Sequence, residues 1–137
     1  MRWIALIAVP ILLAGCGGAE TRKNRLRPPT PVTLTAAIHE DGIEISPARV
    51  GAGTVVLVVS NQSRAPQTVT FETNELGGRT GGTTASSPEI APRSTGRLTI
   101  ATRQGTYSVH TKDDAIRAAT VKVGPPRKSA QDDLLLP

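Results

Sequence analysis

The stretch "TVVLVVS", Thr54 to Ser60, is seven residues long and largely β-branched. Branching at Cβ restricts rotamers in a helix but suits the pleated surface of a sheet. The run is also short for a helix, so it predicts a strand, one buried on both faces. A strand of that kind needs company on either side, and its neighbours supply it. Val32–Ile38 is a first strand, and Gly42–Ser46 follows the turn residues Glu40, Asp41 and Gly42. Gln67–Thr73 alternates, with Val69 and Phe71 on one face. Gly96–Ala101 does the same with Leu98 and Ile100, and Thr106–Thr111 with Tyr107 and Val109. Ala118–Val123 offers Val121 and Val123. Seven short strands separated by Gly, Pro, Asn and Ser predict an all-β sandwich. Residues 74–94 read as one long loop, the kind that is often functional or mobile in a small domain.

The chain before this domain has another character. Arg2 precedes an apolar segment, Trp3–Leu13, interrupted only by Pro10, and Leu13-Ala14-Gly15-Cys16 follows at once. Charge, apolar core and small residues in that order make a secretory signal. The apolar segment is well short of the roughly 20 residues of a membrane-spanning helix. The tetrapeptide resembles the lipobox of bacterial lipoproteins. That resemblance implies removal of residues 1–15, lipid (palmitate among the acyl groups) on Cys16, and a place on the extracytoplasmic side of the cell membrane. An ordinary signal peptide that happens to contain a cysteine is the alternative. Cys16 is the only cysteine in the sequence. If it carries lipid, no thiol is left for a metal or a disulfide.

Residues 16–30 form the expected linker, with Arg22, Lys23, Arg25 and Arg27 followed by Pro28, Pro29 and, just beyond it, Pro31. Such a segment is flexible first and then polyproline-like. Its cations lie close to the proposed anchor, where each adds about 1 kcal/mol of attraction to anionic headgroups. The net charge of +5 does not make this a nucleic-acid binder. The positive charge is concentrated in the linker. There is one each of Trp, Tyr and Phe, and the Trp is in the signal, so platforms for stacking bases are missing. Residues 125–137, "PPRKSAQDDLLLP", read as a flexible tail, with docking of Leu134–Leu136 as the sharper alternative.

Between 31 and 124 the order of motifs resembles the cupredoxin family. "ISPARVGAGTVVLVVSNQS" is similar to the family's approach to its third strand, from a Pro through a glycine turn to a strand ending in Asn. "APQTVTFE" is similar to the Pro-His pair and the strand that follows it. "IAPRSTGRLTI" resembles the Pro-containing turn before the last hairpin, and "GTYSVHT" the tyrosine strand that leads to the copper loop. The resemblance implies a cupredoxin-like Greek-key β-sandwich. It also marks four positions where the plastocyanin and azurin type holds copper. Gln67 stands for the first histidine, Thr111 for the cysteine, Asp114 for the second histidine and Ala119 for the axial methionine. A blue-copper centre needs two imidazoles and a thiolate with a weak axial sulfur. None of the four residues is of that kind, so no metal or other cofactor is expected.

Other candidate groups read as structural. His110 alternates away from Tyr107 and Val109 and is expected to be exposed. His39 is expected in a solvated turn, Asp113 and Asp114 in a polar turn, and Tyr107 as a buried corner tyrosine. "GGRTGGT", Gly77–Thr83, nearly has the spacing of a phosphate-binding loop, but it lacks the lysine and the following helix. There is no G-x-S-x-G elbow and no carboxylate pair placed for acid–base chemistry, so an enzyme is not expected. What remains is a membrane-anchored binding or interaction module, with an envelope protein as a possible partner. A copper-binding or electron-transfer protein with an unusual ligand set is the alternative, and an immunoglobulin-like adhesive domain a third reading.

Overall fold

One strand belongs to both layers of this fold. The computed structural model describes residues 27–74 and 82–130. The signal segment, Cys16, most of the linker, Gly77–Gly81 and Leu134–Leu136 lie outside the described residues. The elements are β1 (Val32–Ile38), β2 (Ile43–Ser46), β3 (Arg49–Asn61), β4 (Thr70–Thr73), β5 (Thr84–Ser86), β6 (Thr95–Thr102), β7 (Gly105–His110) and β8 (Ala119–Pro126). One layer has the order β2-β1-β3-β6, and the other β3-β8-β7-β4-β5.

The glycines explain how β3 serves both. Arg49–Ala52 runs parallel to β8, and the register slips between Gly51 and Ala52. From Gly53 onward the strand pairs antiparallel with β6, and from Val55 also parallel with β1. Gly53 has φ 138°, a conformation that side chains with a Cβ rarely adopt. The corner is held from outside by Arg127. Its Nε donates to Gly51 O (3.1 Å), Nη2 to Thr54 O (2.9 Å) and Nη1 to Thr30 O (2.5 Å), while its backbone N donates to Ala52 O (3.1 Å). A Cβ on Gly51 would come within 2.5 Å of Arg127 Cγ. Gly51 is therefore the space in which the arginine stem lies.

The alternating patterns meet between the layers. Leu34, Val55, Leu57, Val59, Val69, Phe71, Val109 and Val121 are fully buried, and Leu98, Ile100 and Tyr107 nearly so. Each such side chain contributes about 1.5–3 kcal/mol by leaving water. Tyr107 packs edge-on against Phe71, with ring centroids 5.4 Å apart. Its hydroxyl accepts from Arg103 N (2.9 Å) and donates to Arg103 O (3.2 Å), closing the β6–β7 connection. This is the corner tyrosine expected from the sequence.

Four expectations change. The sandwich has eight strands, because Thr84–Ser86 pairs with β4 inside what the sequence presents as loop. Three small polar residues at a sheet edge carry no apolar alternation to read. β3 is not buried on both faces: Val56 and Val58 are only half-buried, because no third layer covers that side. The strand also begins earlier, at Arg49, since its glycines serve the corner and do not end it. Finally, β8 runs through Pro125 and Pro126, Arg127 is anchored, and Ser129 is buried, so the fold reaches past the expected boundary at 124. Prolines are tolerated where a strand has no ladder partner to donate to. No helix among the described residues is long and apolar enough to cross a membrane.

Candidate functional site

The end of the sandwich at which β3 finishes and β8 begins is built from four loops: 39–42, 62–67, 88–94 and 111–117. Asn61 is their centre. It ends the apolar strand, is fully buried, and uses its whole side-chain amide. Nδ2 donates to Ala65 O and Ile90 O, both at 2.8 Å. Oδ1 accepts from Ser63 N (3.0 Å) and Ser63 Oγ (2.7 Å). Its backbone completes the set, donating to Ser94 O (2.9 Å) and accepting from Arg93 N (2.7 Å). Two loops are thus tied to one residue. Pairing of this kind is what makes a buried amide affordable, since an unmatched one is penalised by about 1–3 kcal/mol. Among the described residues no buried side-chain nitrogen or oxygen lacks a partner.

The other two loops are tied in turn. Glu40 Oε1 accepts from Arg64 N at 2.8 Å, linking 39–42 to 62–67. Arg117 N donates to Asp41 O (3.2 Å) and Ile43 N to Arg117 O (3.0 Å), linking 111–117 to 39–43. Within 88–94, Ser94 N donates to Ala91 O across a turn with Pro92 second and Arg93 third. Arg93 has φ 60°, the left-handed region, which is unusual for a side chain of this size.

The four positions marked by the resemblance fall differently. Gln67 is 6% exposed and exchanges backbone hydrogen bonds with Ile90 (3.0 and 2.8 Å). Thr111 is 7% exposed, and its hydroxyl both accepts from Asp113 N and donates to Asp113 O at 3.3 Å. Ala119 is 9% exposed and opposite Val109. The registers Thr70 to His110 and Val109 to Ala119 bring these three to the same end of one sheet. Asp114 is exposed on the loop tip, away from the buried three. The loop is closed by its own polar groups: Asp113 Oδ1 accepts from Ala115 N (3.0 Å), and Asp113 O from Ile116 N (3.1 Å).

This set does not fit copper. It offers an amide, a hydroxyl already engaged within its loop, an exposed carboxylate and a methyl group, where soft copper chemistry needs imidazole and thiolate. The histidines are not placed to replace them. His110 is half-buried on the outer face of its sheet, a correction to the expected exposed residue. Glu72, on the neighbouring strand, reaches it: Glu72 Oε1 is 3.1 Å from Nε2, and Thr111 O is 3.1 Å from Nδ1. His39 lies in its turn with Nε2 3.8 Å from Glu44 Oε2. No group of three or more His, Cys, Asp or Glu able to hold a metal is present among the described residues. The Glu72–His110 contact has no signature in the sequence, because two positions in different strands show no relation until the register is known. In the sequence Asn61 reads only as the end of a strand. A lone Asn closing an apolar run was the available signal for its role.

No family model and no curated protein matches this chain. Solved structures do. Auracyanin A, a blue copper protein from Chloroflexus aurantiacus, is 16% identical over 69% of this chain and 100% of its own, with a TM-score of 0.50. An auracyanin from Roseiflexus castenholzii is 12% identical over 72% of this chain and 100% of its own (TM-score 0.49). A reduced amicyanin variant is 19% identical over 69% and 81% (TM-score 0.38). The likeness to auracyanin A is one of fold: the described domain is a cupredoxin-like β-sandwich.

Proposed function

We propose that this chain is a lipoprotein of the cell envelope, anchored through Cys16 on the extracytoplasmic side, whose cupredoxin-like domain binds a partner and does not carry electrons. The observation that supports binding is the linkage of the four loops at one end. Asn61, Glu40 and Arg117 fix their backbones, while Gln62, Arg64, Glu89, Lys112, Asp113 and Asp114 remain exposed. Exposed polar side chains on loops held by a rigid scaffold are how sandwich domains present recognition surfaces, since the tips vary without disturbing the core. Ordering these loops before contact also reduces the entropy lost on binding. The donors suit hydrogen bonding and ion pairing with a polar surface, such as that of an envelope protein.

The anchor and the surface are tested separately. Cys16→Ser is expected to release the chain from the membrane fraction, and a processed variant that stays there would exclude lipid anchoring. A photo-crosslinking residue at Asp114 is expected to give one discrete adduct in intact cells, while the same residue at Thr99, on the outer face of the other sheet, gives none. Equal adducts from both positions, or none from Asp114, would remove the binding surface from this end. An intense visible band on adding Cu(II), resistant to mild chelation, would return the electron-transfer reading.

A further inference from the structure

The carboxylates of the described domain gather toward one end, where Arg64, Arg93, Lys112 and Arg117 are mixed with them, while the other end carries cations alone. Glu40, Asp41, Glu89, Asp113 and Asp114 belong to the four-loop end, and Glu44 is opposite Ala37 close to it. Glu72, the remaining described carboxylate, is in mid-sheet with His110. The opposite end holds cations. Arg49 and Lys122 are direct register partners, both exposed, one rung from Gly105, where β7 starts. Arg103 is in the β6–β7 turn, and Arg127 and Lys128 follow β8. The described contacts of carboxylates with basic side chains, His39–Glu44, Glu40–Arg64 and Glu72–His110, involve none of these five. Arg127 is bonded to neutral carbonyls, which leave its charge in place. Arg49 and Lys122 are like charges at facing positions of a parallel pair, so their mutual electrostatics add nothing favourable to the fold.

We infer that this basic end is a docking surface for anionic lipid headgroups. The placement of the chain supports that occupant. Thr30 is held at this end by Arg127, so the linker leaves the domain beside the patch. Resting on the reading of Cys16 as the anchor, the 14 linker bonds from Cys16 to Thr30 span at most about 50 Å, which keeps the patch near the bilayer. Arg49, Gly51, Lys122, Gly124 and Pro125 line a shallow open groove there, so both cations face the same concave surface. A docked domain turns its four-loop end away from the membrane, toward other envelope components.

The test uses the full lipidated chain in vesicles. With Cys16 acylated, Gln104→Cys supplies one free thiol at the basic end and Lys112→Cys one at the loop end, each for a dye quenched by labelled headgroups. On phosphatidylglycerol vesicles the dye at 104 is quenched and the dye at 112 is not, and salt reverses the effect because screening shortens the range to about 10 Å at 0.1 M. Adding R49S and K122S lowers the docked-to-undocked ratio by roughly 25-fold, about five-fold for each charge. Both residues are exposed and of like charge, so the variant is expected to keep its thermal midpoint or to raise it slightly. Equal quenching at both positions, quenching unchanged by R49S and K122S, or binding to a soluble polyanion without quenching on vesicles overturns the inference. Intact mass reads acylation of Cys16 independently. Quenching by added anionic vesicles in a chain without lipid supports the patch while removing the anchor.

Discussion

Tyr107 and Arg103 are four residues apart, and the tyrosine hydroxyl engages both backbone groups of the arginine, at 2.9 and 3.2 Å. The ring is simultaneously edge-on to Phe71. One side chain therefore joins the core to the connection between the two layers. Tyr107→Phe keeps the ring contact and removes both hydrogen bonds. Stability is expected to fall by about 1 kcal/mol, since Arg103 is exposed and water can replace part of the loss. That corresponds to a melting temperature roughly 4–8 °C lower for a domain of this size. An unchanged midpoint would mean that the hydroxyl contributes nothing.

Asn61→Asp is nearly isosteric, and it turns one donor group into an acceptor. The carboxylate would face Ala65 O and Ile90 O, now 2.8 Å from the amide nitrogen. A buried charge against two carbonyls is expected to destabilise by at least about 3 kcal/mol. Urea unfolding would show a lower midpoint, and hydrogen exchange would show early opening of 62–67 and 88–94 together. Opening of only one loop would mean that Asn61 does not couple them.

Gly51 and Arg127 are expected to be coupled. Gly51→Ala alone sets Cβ against Arg127 Cγ and costs about 1–3 kcal/mol through overpacking. In an Arg127→Ala background that conflict is gone, although Pro125 O remains 3.1 Å from the new Cβ. A double-mutant cycle by chemical denaturation is expected to give an interaction energy within the roughly 0.5–3 kcal/mol found for residues in contact. Additivity of the two substitutions would show that the arginine stem moves aside freely.

Restoring soft donors tests the correspondence of positions. Gln67→His, Thr111→Cys and Asp114→His place two imidazoles and a thiolate at the marked residues. The folded triple variant is expected to develop a copper–thiolate absorption with Cu(II). Asp114 is the weak member, because it sits on the loop tip while Gln67 and Thr111 are buried. Circular dichroism separates a folded variant without a band from one that has not folded, and the former would mean that at least one correspondence is wrong.

Much of the core was legible because it follows from period alone. Val69 with Phe71, Leu98 with Ile100, and Tyr107 with Val109 alternate in the sequence and are buried in pairs. β1 was readable to its last residue, since Val32–Ile38 is bounded by Pro31 and the turn at Glu40. Period does not report which side of an apolar strand finds a second layer, and so Val56 and Val58 were expected inside. Nor does it reveal a three-residue edge such as β5, whose only reason to be a strand is the free edge of β4. The loop end was legible as a set of residues and not as an arrangement. Its geometry depends on contacts between segments far apart in the chain, such as Asn61 with Ile90 and Asp41 with Arg117.

Arg127 also decides how the domain answers tension. A pull arriving through the linker reaches Thr30, whose carbonyl shares a guanidinium with Gly51 and Thr54 of the β3 corner. The load therefore divides between β1 and the strand common to both layers before any ladder bond is strained. β1 runs parallel to β3 over its whole length. Drawn out along its axis, it must shear all of those rungs together, whereas a strand peeled from one end would surrender them singly. Held at the four-loop end and drawn by this corner along β1, the domain is thus loaded in its more resistant direction.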